Sequence, residues 1–493
     1  MSELPVVSQA DLAAHGPTSK APWVQINGIV YDVSKFAALH PGGEQLLLRA
    51  CGSDASEDYN MVHHPAVLKN PKYARLAVGR AEGKARRERR LPYADHYWLD
   101  KSLPSPHITE EHRAWQKKVR AFIDTEIQPN VGKWDEAKKY PKELHKKIYE
   151  AGLYSPMWPV ELGGTPPEGG WDYIKAFISG YEHGRIHSGG FAASCFSVMI
   201  ALPPLVKHGS PYIKEKFATP LIKGEAIGAL AITEPWAGSD VSRLRCTAIL
   251  DGDEYVINGA KKFITSGMQA DLFTVACRTD PNAKSLFDGI SLIVVEGNRK
   301  GLDRRRINTQ GWWAGNTGYI TFENVRVPKA NVIGEVNKGF RYIMENFNNE
   351  RFMMCCSSLA ASHVLLGESI RFAKVRKTFG KPLIQHQVIR HKIANMAMQS
   401  EALYALVEQI ACHLQNNTPQ IDIAPKIAFC KVLATKTYEF CAREASQIFG
   451  GNSYQRGGQG ENVERLYRDV RVQAIAGGSE EIMTDLGLRM SKL

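Results

Sequence analysis

Thr233-Glu234-Pro235-Trp236-Ala237-Gly238-Ser239-Asp240 stands where the hydrophobic period of the chain changes. Upstream, from position 109 to about 223, apolar residues recur at helical spacing. Thr109 reads as an N-cap, with Glu110 and Glu111 in the first turn, where acidic side chains stabilise the positive end of a helix. Around and beyond the quoted stretch, 226–232, 255–264, 272–277, 290–295 and 319–327 read as strands separated by Gly, Asp and Asn turns. From Gly339 long helical patterns return, over 339–374, 385–414 and 425–449. The order is therefore helical, strand-rich, helical, with no internal repeat.

The first hundred residues read differently. Positions 24–33 (VQINGIVYDV) alternate apolar and polar around Asn27-Gly28, a hairpin signal. His40-Pro41-Gly42-Gly43 follows, and His63-His64 stands further on. A histidine at such a turn has its backbone fixed by proline, and the glycines let the chain pass close to a flat ligand. A second imidazole would complete axial ligation of iron, and two histidines favour electron transfer over oxygen binding. From Ala81 to about Pro106 the chain is basic and carries prolines without an apolar period, which predicts a linker.

The 493 residues predict several domains. The composition, 44% hydrophobic and 23% charged, is that of a globular protein. The longest apolar stretches, such as 190–205, are interrupted, so no membrane span is expected. The net charge of +11 suits an acidic ligand but is spread too evenly to argue for nucleic acid. Nine cysteines without a Cys-x-x-Cys pair, including vicinal Cys355-Cys356, read as reduced core thiols. The N-terminus has neither a presequence pattern nor a signal-peptide core. Ser491-Lys492-Leu493 matches the peroxisomal address read by an import receptor, which predicts the peroxisomal matrix.

From about 107 to 490 the ordered motifs resemble acyl-CoA dehydrogenases. The quoted stretch matches the family's T-E-P-x-A-G-S-D loop. Asn258-Gly259 to Thr265 matches its next flavin strand, with Phe263 where many relatives carry Trp. Arg376, Thr378 and Phe379 match R-x-T-F-G, Gln387 the glutamine after it, and Gln447 with Gly450-Gly451 the Q-x-x-G-G segment. The resemblance implies that FAD contacts Thr233, Ser239, Phe263, Thr265, Arg376, Thr378, Phe379, Gln387, Gln447, Gly451 and Ser479. It implies a homodimer or homotetramer, because these segments reach one flavin from different subunits. It also implies Ser239, Asn348 and Arg351 at the acyl-CoA substrate. Many members place the catalytic Glu after an R-D dipeptide, where this chain has Gly477 following Arg468-Asp469. The long-chain and isovaleryl branches take the base from an E-R dipeptide instead, which here is Glu350-Arg351. Gly477 then leaves room for that carboxylate and offers its backbone N–H to the thioester oxygen, while Arg351 helps order the site. Glu480 and Glu481 read as helix N-terminal charges.

Residues 24–81 resemble cytochrome b5 domains. This implies haem b on His40 and a second histidine, for which the family spacing favours His64 and a spacing one shorter selects His63. The expected architecture is a small α+β cytochrome b5-like domain (1–82) and a basic linker (83–106), followed by three dehydrogenase domains. These are a helical domain (107–225), a β-barrel or sandwich (226–335) and a four-helix bundle with the terminal signal (336–493). The expected reaction is α,β-dehydrogenation of an acyl-CoA to the 2,3-trans-enoyl-CoA. Electrons would pass from FAD to the fused haem and on to an unidentified acceptor. The alternative is an acyl-CoA oxidase-like enzyme that uses oxygen, with a regulatory or docking haem domain.

Overall fold

The computed structural model describes residues 4–63, 67–68, 70–82, 91, 93–94 and 105–491. His64, nearly all of the expected linker and Lys492-Leu493 lie outside the described residues. The chain divides into two compact units. One joins the residues up to about 95 with Leu365–Asn395 and Glu444–Glu464, and the other holds the remainder.

In the first unit a four-stranded sheet runs β1 (Val6–Val7), β4 (Ala77–Ala81), β3 (Ile29–Asp32), β2 (Trp23–Ile26). The β2–β3 turn is the expected hairpin, with Asn27 and Gly28 both at positive φ, 51° and 80°. That geometry matches the strand twist and favours the Asn-Gly pair. Helices α1 (Gln9–Ala14), α2 (Glu44–Arg49), α3 (Ser56–Val62) and α4 (Pro71–Ala74) accompany the sheet. Val24, Ile26, Tyr31, Val33, Cys51 and Ala55 close a small core.

The second unit opens with α5 (Glu110–Phe122), α6 (Gln128–Glu136), α7 (Glu143–Glu150) and α8 (Tyr173–Gly184). Thr109 caps α5 as expected, but His112 rather than a Glu completes the capping box. Short helices follow: α9 (Gly189–Cys195), α10 (Val198–Ala201), α11 (Pro203–His208), α12 (Pro211–Ile213) and α13 (Thr219–Ile222). The strand-rich segment is one eight-stranded sheet. Its strands are β5 (Gly228–Ala231), β6 (Thr247–Asp251), β7 (Glu254–Ile264), β8 (Leu272–Arg278), β9 (Ile290–Glu296), β10 (Leu302–Arg306), β11 (Gly318–Pro328) and β12 (Val332–Ile333). The path is β10-β11-β7-β6-β8-β9-β12, with β5 parallel to β8.

The long helices are α14 (Gly339–Val375), α15 (Gln387–Gln415), α16 (Gln420–Phe449) and α17 (Glu461–Ile475), with α18 (Glu480–Met490) after them. α16 begins at Gln420, more than a turn before the expected start at Pro425, which therefore lies inside the helix. At the sixth position of the helix its missing N–H leaves the Ile421 carbonyl without its i+4 donor, a local loss confined to the first two turns. In the second unit Phe352, Leu359, Leu403, Val407, Ile423 and Ile427 share one core with α5 to α13. The backbones of α8 and α14 touch. A Cβ on Gly180 would lie 2.9 Å from Cys356 Cβ, and one on Gly184 2.5 Å from the Ser357 backbone.

Among the described residues α14 alone is long and apolar enough to cross a membrane, and 78% of its apolar window is buried. It is a core helix of the fold. All nine cysteines are free, and eight are buried. Back in the first unit, the hairpin β13 (Lys377–Thr378) and β14 (Lys381–Pro382) turns at Phe379 and Gly380, both at positive φ.

Candidate active site

The second unit encloses a cavity of about 710 Å³, and Glu350, Gly477 and Thr265 all line it. Three residues singled out from three distant stretches of sequence thus meet at one place. The wall is largely apolar, with Phe196, Met199, Ile200, Met353 and Met354 near the Glu350 stretch. Tyr173, Ala176, Gly180 and Gly184 continue it along one stripe of α8, and Trp158 and Trp171 add aromatic faces.

Glu350 projects from α14, and Asn346, one turn earlier, donates from Nδ2 to Glu350 Oε1 at 2.7 Å. The same Nδ2 lies 3.0 Å from the Ile200 carbonyl. Burial pushes the Glu350 carboxyl up to about 8, with the Arg351 guanidinium pulling the other way. A carboxylate with so high a pKa is a strong base once ionised. Asn346 was not singled out from sequence. Its i, i+4 spacing to Glu350 is the one signal that could have found it.

Gly477 follows α17 at φ 65°, and Gly478 at 102°. A Cβ on Gly477 would fall 2.7 Å from Met354 Sδ, so a side chain here would strain the backbone and push the end of Met354 aside. Among the described residues no protein acceptor takes the Gly477 N–H, which leaves it available to a ligand. Arg351 sits behind this turn rather than in the cavity. Its Nε donates to the Gly477 carbonyl at 3.0 Å, and a terminal nitrogen lies 3.2 Å from Asn348 Oδ1. Asn349, not Asn348, lines the cavity. Glu480 and Glu481 occupy the first turn of α18, capped by Ser479, whose side chain accepts from Ile482 N.

Other walls were not foreseen. His183 stacks on Phe196 with ring centroids 3.8 Å apart, and burial drives its pKa down to about 3, so it is neutral. Trp312, in the left-handed region at φ 56°, is held through its N–H by Asp469 at 2.7 Å. Asp469 also takes Gly189 N–H at 2.9 Å, and burial raises its pKa. Its neighbour Arg468 pairs with buried Asp135 at 2.8 Å. The Arg-Asp dipeptide is thus a brace for the cavity wall.

The T-E-P-x-A-G-S-D loop is organised by Glu234, which accepts from Arg245 N at 2.6 Å and Cys246 N at 2.9 Å. It also pairs with Lys261 Nζ at 2.8 Å, both side chains fully buried. The carbonyl of Thr233 accepts from Lys262 N. With its glutamate anchored inside, the loop presents Trp236, Ser239 and, from β7, Phe263 outward. Phe263 adopts φ 62°, and Lys262 Nζ covers its ring. Exposed aromatic and hydroxyl groups on a rigid loop next to Thr265 suit the isoalloxazine and phosphates of FAD.

The first unit carries the other flavin candidates. Arg376, Phe379, Gln387, Gln447 and Gly451 are all exposed, and Phe379 is 96% so. Thr378 Oγ1 lies 3.2 Å from His386 Nε2, and its carbonyl 3.3 Å from the same nitrogen.

In the same unit His40 Nδ1 is 3.2 Å from the Gly43 carbonyl, which orients the ring and leaves Nε2 free to bind iron. A Cβ on Gly42 would lie 2.9 Å from His40 Cε1, so only glycine fits beside this imidazole. The His63 ring stands 5.8 Å from that of His40, stacks on Tyr59 and has an unpartnered buried Nδ1. Two imidazoles facing each other with an orphaned ring nitrogen fit a bis-histidine haem. The sequence-favoured His64 lies outside the described residues.

Comparisons with known proteins agree with this geometry. The N-terminal, middle and C-terminal domain profiles of acyl-CoA dehydrogenase match residues 109–225, 229–325 and 337–491. The cytochrome b5-like heme/steroid binding domain matches 8–98. The acyl-CoA dehydrogenase AFT10-1 of Alternaria alternata is 37% identical over 81% of this chain and 95% of its own length. The mitochondrial long-chain specific acyl-CoA dehydrogenase of Mus musculus is 31% identical over 77% of this chain and 86% of its own. A putative acyl-CoA dehydrogenase structure from Mycobacterium smegmatis superposes with a TM-score of 0.74 and 36% identity, covering 79% of this chain and 99% of that one. With its cavity, its half-buried glutamate and its three matching domains, the chain belongs to the acyl-CoA dehydrogenase family of FAD oxidoreductases, joined to a cytochrome b5-like domain.

Proposed function

We propose that the chain dehydrogenates a long-chain acyl-CoA to its 2,3-trans-enoyl-CoA, with Glu350 as the base and the fused haem as the outlet for electrons. The observation that carries this is Glu350, half-buried in the wall of a largely apolar cavity that it shares with Gly477, its carboxyl pushed up by desolvation. FAD supplies the hydride acceptor, and haem b a one-electron acceptor beyond it. Glu350 removes the proton alpha to the thioester. Asn346 steadies its carboxylate, and the Gly477 N–H stabilises charge on the thioester oxygen. Cavity residues along the whole of α8 make a trough of roughly 16 Å, from its length at the helical rise. That length suits a long hydrocarbon chain, as does the similarity to long-chain specific relatives.

His40, with His63 or His64, would hold the haem. The exposed Arg376, Phe379, Gln387 and Gln447 favour a homo-oligomer in which these residues meet a partner's flavin. Ser491-Lys492-Leu493 would direct the protein to the peroxisomal matrix through the import receptor. The test is anaerobic mixing with acyl-CoAs of graded length, following flavin and haem absorption together. Flavin bleaching followed by haem reduction is expected. Bleaching with the haem left oxidised would favour the oxidase-like alternative, and no bleaching would end the dehydrogenase reading.

A further inference from the structure

Lys431 is a fully buried lysine that none of the chemistry above uses. It sits in α16, and burial lowers its pKa to about 8. Cys355, Glu480, Arg351 and Arg471 are the titratable groups that act on it. Its Nζ donates to two carbonyls, Gly478 at 2.7 Å and Ala474 at 3.1 Å. These flank Gly477 on both sides. Arg351, from α14, holds the carbonyl of Gly477 itself. Two cations from two helices therefore grip three carbonyls of one five-residue turn.

The turn needs such a grip. Gly477 and Gly478 both stand at positive φ, and paired glycines are the freest backbone in a protein. The carbonyls at the end of α17 also lack intrahelical partners and carry the negative end of its dipole. The Gly477 N–H lies in the peptide it shares with Ala476; holding the carbonyl of Ala474 before that peptide and those of Gly477 and Gly478 after it limits how far its plane can turn. A buried ammonium is costly unless it is fully engaged. Satisfying an otherwise free catalytic turn is an engagement that offsets the cost.

We propose that Lys431 is a positioning residue for the dehydrogenation: it clamps the turn 474–478 so that the Gly477 N–H meets the thioester oxygen. This rests on the reading of the cavity as an acyl-CoA site. The test uses the full-length holoenzyme carrying Lys431→Met or Lys431→Gln. Three quantities are read: FAD content, anaerobic flavin bleaching by an acyl-CoA, and the ultraviolet band of a bound conjugated dienoyl-CoA, which moves to the red when its carbonyl is polarised.

Lys431→Met is expected to bind FAD and to bleach at least about tenfold more slowly, as for a weakened oxyanion donor. Its Kd for acyl-CoA should change by less than about threefold, and the red shift should shrink. Lys431→Gln keeps a donor and should recover part of the shift. Wild-type bleaching with an undiminished shift in Lys431→Met would overturn the proposal. If Lys431→Met fails to load FAD, Lys431→Gln decides alone. A reduced shift at unchanged Kd supports the clamp, and an undiminished one overturns it. A wild-type enzyme that no acyl-CoA bleaches would sink the dehydrogenase reading instead, while the band shift, which needs no turnover, would still report on the clamp.

Discussion

Glu350 works only as an ion, yet its surroundings favour the neutral acid, and that conflict sets the pH behaviour. With the carboxyl raised to about 8, the free enzyme holds it protonated at neutral pH. kcat/KM should therefore rise with pH and level off above about 8, because it reports the free enzyme's ionisation. A flat profile between pH 6 and 9 would move the base elsewhere. Glu350→Gln should keep FAD and haem while slowing flavin reduction by at least about 100-fold, measured by stopped flow. The second haem ligand can be settled by separate His63→Ala and His64→Ala variants. The ring facing His40 at 5.8 Å belongs to His63, so that variant is expected to lose the low-spin bis-histidine spectrum, and His64→Ala to retain it. At this scale the sequence showed much of the site. Glu350, Gly477 and Thr265 sit in recognisable dipeptides and loops. Lys431 did not stand out, because the carbonyls it binds lie 43 and 47 residues away and only packing brings them together.

Helix α8 illustrates how elements, rather than residues, set what the site accepts. Its cavity stripe, Tyr173, Ala176, Gly180 and Gly184, carries little bulk in the middle. Ala176→Trp should block the far half of the trough. Activity on acyl chains of twelve or more carbons is expected to fall by about tenfold relative to four-carbon chains, in kcat/KM measured across a length series. An equal loss at every length would argue against the chain lying along α8. The strand reading succeeded where period and length were both strong, as in β7, β8, β9 and β11. It missed β6 and β10, each five residues long. β10 reads LDRRR, an edge strand whose arginines hide the alternation. The T-E-P-x-A-G-S-D loop was legible as a motif, but the buried Glu234–Lys261 pair that shapes it was not. Nothing in the sequence marks Lys261 as buried; it lies in β7, an interior strand paired with both β11 and β6.

At the scale of the molecule, two activities on one chain should be separable. His40→Ala removes one of the two proposed iron ligands. Substrate should still bleach flavin at the wild-type rate, because proton and hydride transfer need no haem, while turnover with an acceptor fed through haem should collapse. Normal turnover with every acceptor would take the haem off the electron path. Removing Ser491-Lys492-Leu493 should leave purified activity intact and disperse the protein into the cytosol, seen by microscopy; persistent peroxisomal puncta would contradict the address. The order of domains was readable because each has its own hydrophobic period. The division into units was not, since the first unit recruits Leu365–Asn395 and Glu444–Glu464 from far along the chain.

The contact of Gly180 and Gly184 with α14 has a further result. At Gly184 the neighbour is the Ser357 backbone itself, so there the two helices cannot move closer, while at Gly180 the neighbours are Cys356 Cβ and the end of Met353. Met157, Met199, Met353 and Met354 also line the cavity, unbranched side chains that repack readily. The cavity thus combines one fixed backbone contact with adaptable thioethers along the same wall. Substrates of different girth would be accommodated by rearranged thioethers alone, leaving the distance between Glu350 and the reacting carbon the same for all of them.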